Sequence, residues 1–392
     1  MSAVKDDDMS VDAREDQDGL NGLDKRANLD NMDDRDDRDD RDDRDDVHDM
    51  DMVFKKELPA PEELKRQYPV SKDLLDLKKR RDREIKDIFL GRDDRMLLII
   101  GPCSADREDA VLDYMARLRA VQEKVLDRIC IVPRLYTNKP RTVGKGYKGI
   151  LHQPDPEKES DLLKGILTVR HMNVKVIAET GFTCADEMLY PDTYRFLSDL
   201  LSYVAIGARS VEDQLHRMTA SGLCIPVGMK NPTSGNLTVM LNSIVAAQAS
   251  QAFIYRNWEV QTHGNPLAHA ILRGYENKFG RSIPNYHYED LQLLLSLYYE
   301  KNIPSPACIV DCNHANSDKH FLEQIRISRD VLQSRNQSRD IRRFVKGLMI
   351  ESYLEDGCQD PHEHIYGKSI TDPCLGWNKT ERLILELAEM WK

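Results

Sequence analysis

Eight short apolar runs in this chain each end on a charged or reactive side chain: Cys103, Arg134, Glu179, Arg209, Lys230, Arg273, His314 and Glu351. They sort into two chemistries. Arg134, Arg209, Lys230 and Arg273 are cations, and the stretch KPRTVGKGYKG (139–149) adds Lys139, Arg141, Lys145 and Lys148 with no acid among them. So many like charges around one cavity repel unless anions neutralise them. Arginine suits bidentate capture of phosphate or carboxylate, and lysine acts as a movable point charge. The group therefore points to a substrate with several negative charges, or to two anionic substrates. The second group is Cys103, His314 and Glu351, with Asp372 from YGKSITDPC as a fourth member. One thiolate, one imidazole and two carboxylates make a mixed donor set suited to a divalent transition metal, with too few thiolates for a structural zinc site.

Elements must bring these distant residues together. From Met96 onward, β-rich runs alternate with longer helical stretches: MLLIIGPCS, ICIVPRLY, VKVIAET, YVAIGARS, CIPVGMKN, AHAILRG, ACIVDCNH and GLMIESYL. Near-continuous apolar strands predict a parallel sheet covered on both faces. Eight strand–helix units over about 300 residues predict an α/β fold, a (β/α)8 TIM barrel over residues 96–392, whose C-terminal strand ends converge on one mouth. An open doubly wound sheet is disfavoured, because no GxGxxG follows the first strand. Upstream, residues 53–95 predict a helical extension: Leu74, Leu75, Leu77, Ile85, Ile88 and Phe89 form an apolar face, and Gly91 stops it.

The chain of 392 residues carries a net charge of −11, but the charge is local. Residues 1–52 hold 21 acids and 8 bases, a net −13, so the other 340 residues sum to +2. Residues 33–46 read DDRDDRDDRDDRDD, a repeat with nothing to bury, which predicts a disordered low-complexity tail over 1–52. No run of 18 apolar residues predicts a membrane span, and no apolar N-terminal segment resembles a secretory signal. Eight scattered cysteines without a CxxC pair fit reduced thiols and a cytoplasmic location. The cations fall at strand ends with little aromatic interleaving, which argues against nucleic acid.

The segments GPCSADR, KPRT, GARSVEDQLHR, PVGMKNPTSGN, DCNHANS and YGKSITDPCLGW, in that order, resemble the type I 3-deoxy-D-arabino-heptulosonate 7-phosphate (DAHP) synthases. The likeness runs from about residue 56 to the C-terminus. It implies a metal-dependent condensation of phosphoenolpyruvate with erythrose 4-phosphate, the first step of the shikimate pathway. It implies a divalent ion (Mn, Fe, Co or Zn) on Cys103, His314, Glu351 and Asp372. Phosphoenolpyruvate would lie on Arg134, Lys139, Glu179, Arg209, Lys230 and Arg273. Arg141 and Thr142 would hold the aldose phosphate, with Lys148 beside them. Lys139 would handle the proton or bind an anion. An aromatic amino-acid effector and a homodimer or homotetramer are also implied.

The sequence departs from that family's pattern in places. Asn313 replaces a usual serine, and Pro232 and Ser234 alter the GFKNGTDGN pattern. Cys224 stands where serine is common, the loop after KPRT is one residue longer, and the region 253–265 is shorter. Region 253–265 and Cys224 fall where the family builds its effector site.

Overall fold

A computed structural model describes residues 53–391 except 142, 143 and 145. The tail repeat and Thr142 therefore lie outside the described residues. Leu58–Lys392 forms one compact unit. Residues 53–57, described apart from it, are exposed and hold no regular element.

Eight parallel strands form the central sheet: β1 (Met96–Gly101), β2 (Ile129–Pro133), β3 (Ala185–Glu187), β4 (Tyr203–Ile206), β5 (Val227–Lys230), β8 (Ala268–Leu272), β11 (Cys308–Asp311) and β12 (Val345–Glu351). The remaining strands belong to two hairpins, β6 (Ala252–Tyr255) with β7 (Trp258–Gln261), and β9 (Tyr275–Glu276) with β10 (Ser282–Ile283). The large sheet runs β2-β1-β12-β11-β8-β5-β4-β3. Its two outer strands meet through a parallel bridge, Arg134 with Ala185, and Leu135 N donates to Ala185 O at 2.8 Å. That seam closes the barrel and removes both edges.

Alternation along the strands divides the core into two layers. Leu97, Ile99, Cys130, Val132, Ala205, Ile271, Ile309 and Met349 point inward. Their neighbours Leu98, Ile100, Ile131, Val204, Val310 and Leu348 face the helices. The interior cluster also contains Ile85, Ile88 and Phe89. The helix Lys72–Phe89, capped by Ser71, therefore plugs the N-terminal end of the barrel with the face read from its leucine and isoleucine spacing. Gly101 is required where β1 passes β2, since a Cβ there would meet Arg134 O at 2.3 Å.

One strand expectation fails. VKVIAET is the last third of a 19-residue helix, Leu162–Thr180, capped by the Asp161 side chain and ended by Gly181 at φ 70°. Its β-branched residues face the barrel as one stripe of that helix. Glu179 is exposed on the outer layer, away from any strand end. The third strand is instead the short segment Ala185–Glu187, and the side chain at its C-terminal end is Glu187. Glu179 is accordingly withdrawn from the site.

Candidate active site

The seven other residues fall at, or within three residues beyond, the C-terminal ends of their strands. β12 ends on Glu351, which is fully buried. Arg134, the first residue past β2, is also buried; its Nη2 donates to Glu351 Oε1 at 3.0 Å and to Cys103 O at 3.2 Å. Its guanidinium lies 3.7 Å above the Tyr136 ring, so the charge has an aromatic face on one side and a carboxylate on the other.

Cys103, two residues past β1, is 1% exposed. Its Sγ, one Glu351 oxygen and one Asp372 oxygen all lie within 4.8 Å of one another. Lys139 Nζ sits against two of the three, 2.8 Å from Cys103 Sγ and 2.8 Å from Asp372 Oδ2. Burial pushes the Cys103 thiol up, and Glu351 adds to that while Lys139 opposes it. Burial would lower Lys139, but the neighbouring Cys103 and Asp372 charges overcome it and hold the ammonium protonated. Asp372 is held well below the carboxylate range against its own burial, mainly by Lys139 and then by Lys319, whose Nζ is 3.1 Å from Oδ1.

His314 completes this corner. It has φ 55°, a left-handed conformation that a non-glycine residue adopts only under strain. Nε2 is 3.8 Å from Glu351 Oε1, and Nδ1 is 2.9 Å from Asp311 Oδ2. The Asp311 carboxylate lies beside Nδ1, which leaves Nε2 as the nitrogen on the Glu351 side. Burial lowers the His314 pKa, so the ring is neutral and able to ligate. The structure thus gathers three of the four expected donors, Cys103, Glu351 and Asp372, and leaves His314 beside Glu351 outside that group; a cysteine and two carboxylates, with Lys139 as the neighbouring cation, fit a divalent transition metal.

The cationic side chains adjoin it. Lys230 ends β5, nearly buried, 3.2 Å from Asp311 Oδ2. Asp311 thus serves both His314 and Lys230, and these two hold its carboxyl well below the usual range against burial. Arg273, just past β8, is buried enough that desolvation lowers its pKa, and the charges of Asp311, Glu276, Arg209 and Glu187 all reach it. Arg209 is exposed at the rim. The loop after β2 is pinched at its base: Lys139 N donates to Lys148 O at 2.9 Å, and Gly149, at φ 97°, packs so closely that a Cβ would meet Thr137 O at 2.3 Å. Arg141 Nε donates to Tyr147 O, and Lys148 is exposed beside it.

Sequence reasoning missed four residues. Asp311 was visible as the last residue of its strand in ACIVDCNH. Asn313, the departure noted above, donates to Glu351 Oε2 at 2.6 Å. Glu187 was hidden because its strand has only three residues. Asp186 is buried and accepts from Thr137 N (2.9 Å), Thr137 Oγ1 (2.5 Å) and Glu187 N (2.7 Å), tying the base of the Lys139 loop to β3.

Asp186→Ala leaves those three donors without their acceptor. It is expected to destabilise the fold by about 2–4 kcal/mol and to reduce turnover, measured by chemical denaturation and steady-state kinetics. Burial raises the Asp186 pKa from 3.8 to about 7. Between those two values the native state keeps a proton that the unfolded chain releases, so this group's contribution falls as pH rises and levels off above 7. Asp186→Asn does not titrate. Its melting temperature is therefore expected to gain on the parent's from pH 4 to pH 7 and then run parallel; a constant gap would remove the titration assigned here.

Comparisons with known proteins bear on this geometry. Residues 67–385 match the profile described as the DAHP synthetase I family. The Trp-sensitive phospho-2-dehydro-3-deoxyheptonate aldolase of Escherichia coli K12 is 38% identical over 341 residues, covering 85% of this chain and 94% of its own. The Buchnera aphidicola protein of the same name is 37% identical, covering 84% and 94%. The solved phospho-2-dehydro-3-deoxyheptonate aldolase of Francisella tularensis SCHU S4 superposes with a TM-score of 0.80 at 32% identity, over 86% of this chain and 98% of that one.

Proposed function

From the premise that this chain belongs to the DAHP synthetase I family and condenses phosphoenolpyruvate with erythrose 4-phosphate to DAHP and phosphate, we propose how its residues divide that work. The observation that carries the reading is the single mouth in which the Cys103–Glu351–Asp372 donor cluster adjoins the cations Lys139, Lys230 and Arg273.

Cys103, His314, Glu351 and Asp372 hold the divalent ion. When bound, the ion supplies Lewis-acid polarisation of the aldehyde oxygen of erythrose 4-phosphate. Arg134, Lys230, Arg273 and Arg209 hold the carboxylate and phosphate of phosphoenolpyruvate, and Arg141, Thr142 and Lys148 hold the phosphate of the aldose. Pairing two mutually repelling anions is an entropic and electrostatic task, and fixed cations perform it before chemistry begins. The methylene carbon of phosphoenolpyruvate forms the new bond to the aldehyde carbon. Water adds at the enol-ether carbon and loses both protons as the ketone forms, one to the departing phosphate and one that restores the Lys139 ammonium, and phosphate leaves with C–O cleavage. Lys139 Nζ, hydrogen-bonded to Cys103 and Asp372, donates the proton that the new hydroxyl requires. Glu187, whose charge reaches Arg273, takes the position first assigned to Glu179 as the acid on the phosphoenolpyruvate side.

Two of the relatives named above, those of Escherichia coli and Buchnera aphidicola, are called Trp-sensitive, which supports an aromatic amino acid as effector, with the hairpin β6–β7 and Cys224 as its region. A homodimer or homotetramer and a cytoplasmic location complete the reading. Among the described residues no helix is long and apolar enough to cross a membrane.

The test is consumption of phosphoenolpyruvate by chelator-stripped protein, with and without erythrose 4-phosphate and manganese, repeated with phenylalanine, tyrosine and tryptophan. Turnover only when both additions are present is expected; turnover with arabinose 5-phosphate instead would keep the chemistry and change the substrate. Arg209→Ala is expected to raise KM for phosphoenolpyruvate about tenfold or more while moving that for the aldose little. The reverse pattern in initial-rate kinetics would mean that the two anion sites are exchanged.

A further inference from the structure

Both carboxylate oxygens of the buried Glu351 are held by side chains. Arg134 Nη2 donates to Oε1 at 3.0 Å, and Asn313 Nδ2 donates to Oε2 at 2.6 Å. The backbone of Glu351 is held as well. Its N–H donates to Gln324 Oε1 at 2.8 Å, and its carbonyl accepts from Gln324 Nε2 at 3.0 Å. The two side-chain clamps differ in charge. Arg134 neutralises the carboxylate that it touches, whereas the Asn313 amide orients it without adding a charge. A second cation in place of that amide would repel a metal ion bound to the same carboxylate.

Asn313 is itself fixed. It is 1% exposed, its side-chain Oδ1 accepts from Ser317 Oγ at 2.7 Å, and its N–H donates to Asp311 Oδ1 at 3.0 Å. An ionised carboxylate only accepts, so the amide NH2 must face Glu351 and the amide oxygen is left for Ser317. Asn316 ties the same turn down, donating from Nδ2 to Asp311 O at 2.8 Å and to Leu272 O at 3.2 Å. The segment after β11 is thus anchored at both ends of the amide before any ion arrives.

We propose that Asn313 is a positioning residue for metal binding, the middle of a Ser317–Asn313–Glu351 relay. The relay holds the Glu351 carboxylate in the orientation that brings one oxygen within 4.8 Å of the Cys103 and Asp372 donors. It rests on the ligand set proposed above. Hydrogen-bond partners behind a ligand fix its direction, and removing one typically costs about 10–100-fold in metal affinity.

The test is the manganese affinity of the chelator-stripped full chain, read from the electron paramagnetic resonance of free Mn2+. The parent, Asn313→Ala, Ser317→Ala, their double variant and Glu351→Gln are compared, each with a metal-free thermal melt. Asn313→Ala is expected to bind about 10–100-fold more weakly than the parent. Ser317→Ala is expected to show a smaller loss. The double variant is expected to bind no more weakly than Asn313→Ala, because Ser317 acts only through Asn313. Glu351→Gln is expected to bind at least as weakly as Asn313→Ala. A residue that merely supports the fold would lower the metal-free melting temperature and leave the affinity alone; that pattern in Asn313→Ala overturns the proposal, as do additive losses in the double variant. If Asn313→Ala does not fold, Ser317→Ala decides, and parental affinity in it removes the relay. No binding by the parent, or parental affinity in Glu351→Gln, would instead remove the ligand set and the relay with it.

Discussion

Cys103→Ser is expected to lose the metal and with it turnover, while the barrel stays folded. The Sγ atom is buried within 4.8 Å of the Glu351 and Asp372 oxygens, where it would contribute the one soft ligand of the proposed set. A serine hydroxyl fills nearly the same volume but does not ionise under conditions where a metal displaces the thiol proton. Even altering an outer-shell partner of a metal ligand costs 10–100-fold in affinity or activity. Removing the ligand itself is expected to lower metal affinity by about 100-fold or more. Metal content after dialysis against a buffered metal solution, read beside a thermal melt, separates ligand loss from unfolding. Parental metal content at parental activity would refute the assignment. Excess metal in the assay should restore part of the rate, since His314, Glu351 and Asp372 remain.

Lys139→Met should lower kcat by about 100- to 10,000-fold, the range assigned to positioned proton transfer. Methionine keeps the length and apolar body of the side chain and removes the ammonium that lies 2.8 Å from both Cys103 and Asp372. The variant should bind metal no less tightly than the parent, because a competing cation has left the donor cluster. That metal readout distinguishes a chemical role from collapse of the site. If kcat stays within a few-fold of the parental value while KM for phosphoenolpyruvate rises, Lys139 binds an anion and the proton comes from elsewhere.

Much of this site is visible in the chain because a parallel barrel enforces a simple rule. Each strand delivers the residue after its apolar run to the same rim, so Arg134, Lys230, Arg273, His314 and Glu351 could be gathered from positions more than 200 residues apart. The rule fails at Glu179. VKVIAET has the composition of a strand, yet Asp161 and Gly181 cap a continuous helix through it. The strand that does close the barrel, Ala185–Glu187, is too short and polar to carry a periodic signal. Its extended form comes from its register with β4 and from the bridge to Arg134.

The chain alone thus determined the barrel, the N-terminal helix, and the donor types and excess of cations gathered at its strand ends. These follow from side-chain chemistry and from periodicity, both local properties. Tertiary structure alone decided that Glu187 and not Glu179 faces the mouth. It also decided that Asp311 is shared between His314 and Lys230, and that Asp186 pins the Lys139 loop. Each of these depends on distances between residues far apart in sequence, which closure of the sheet sets.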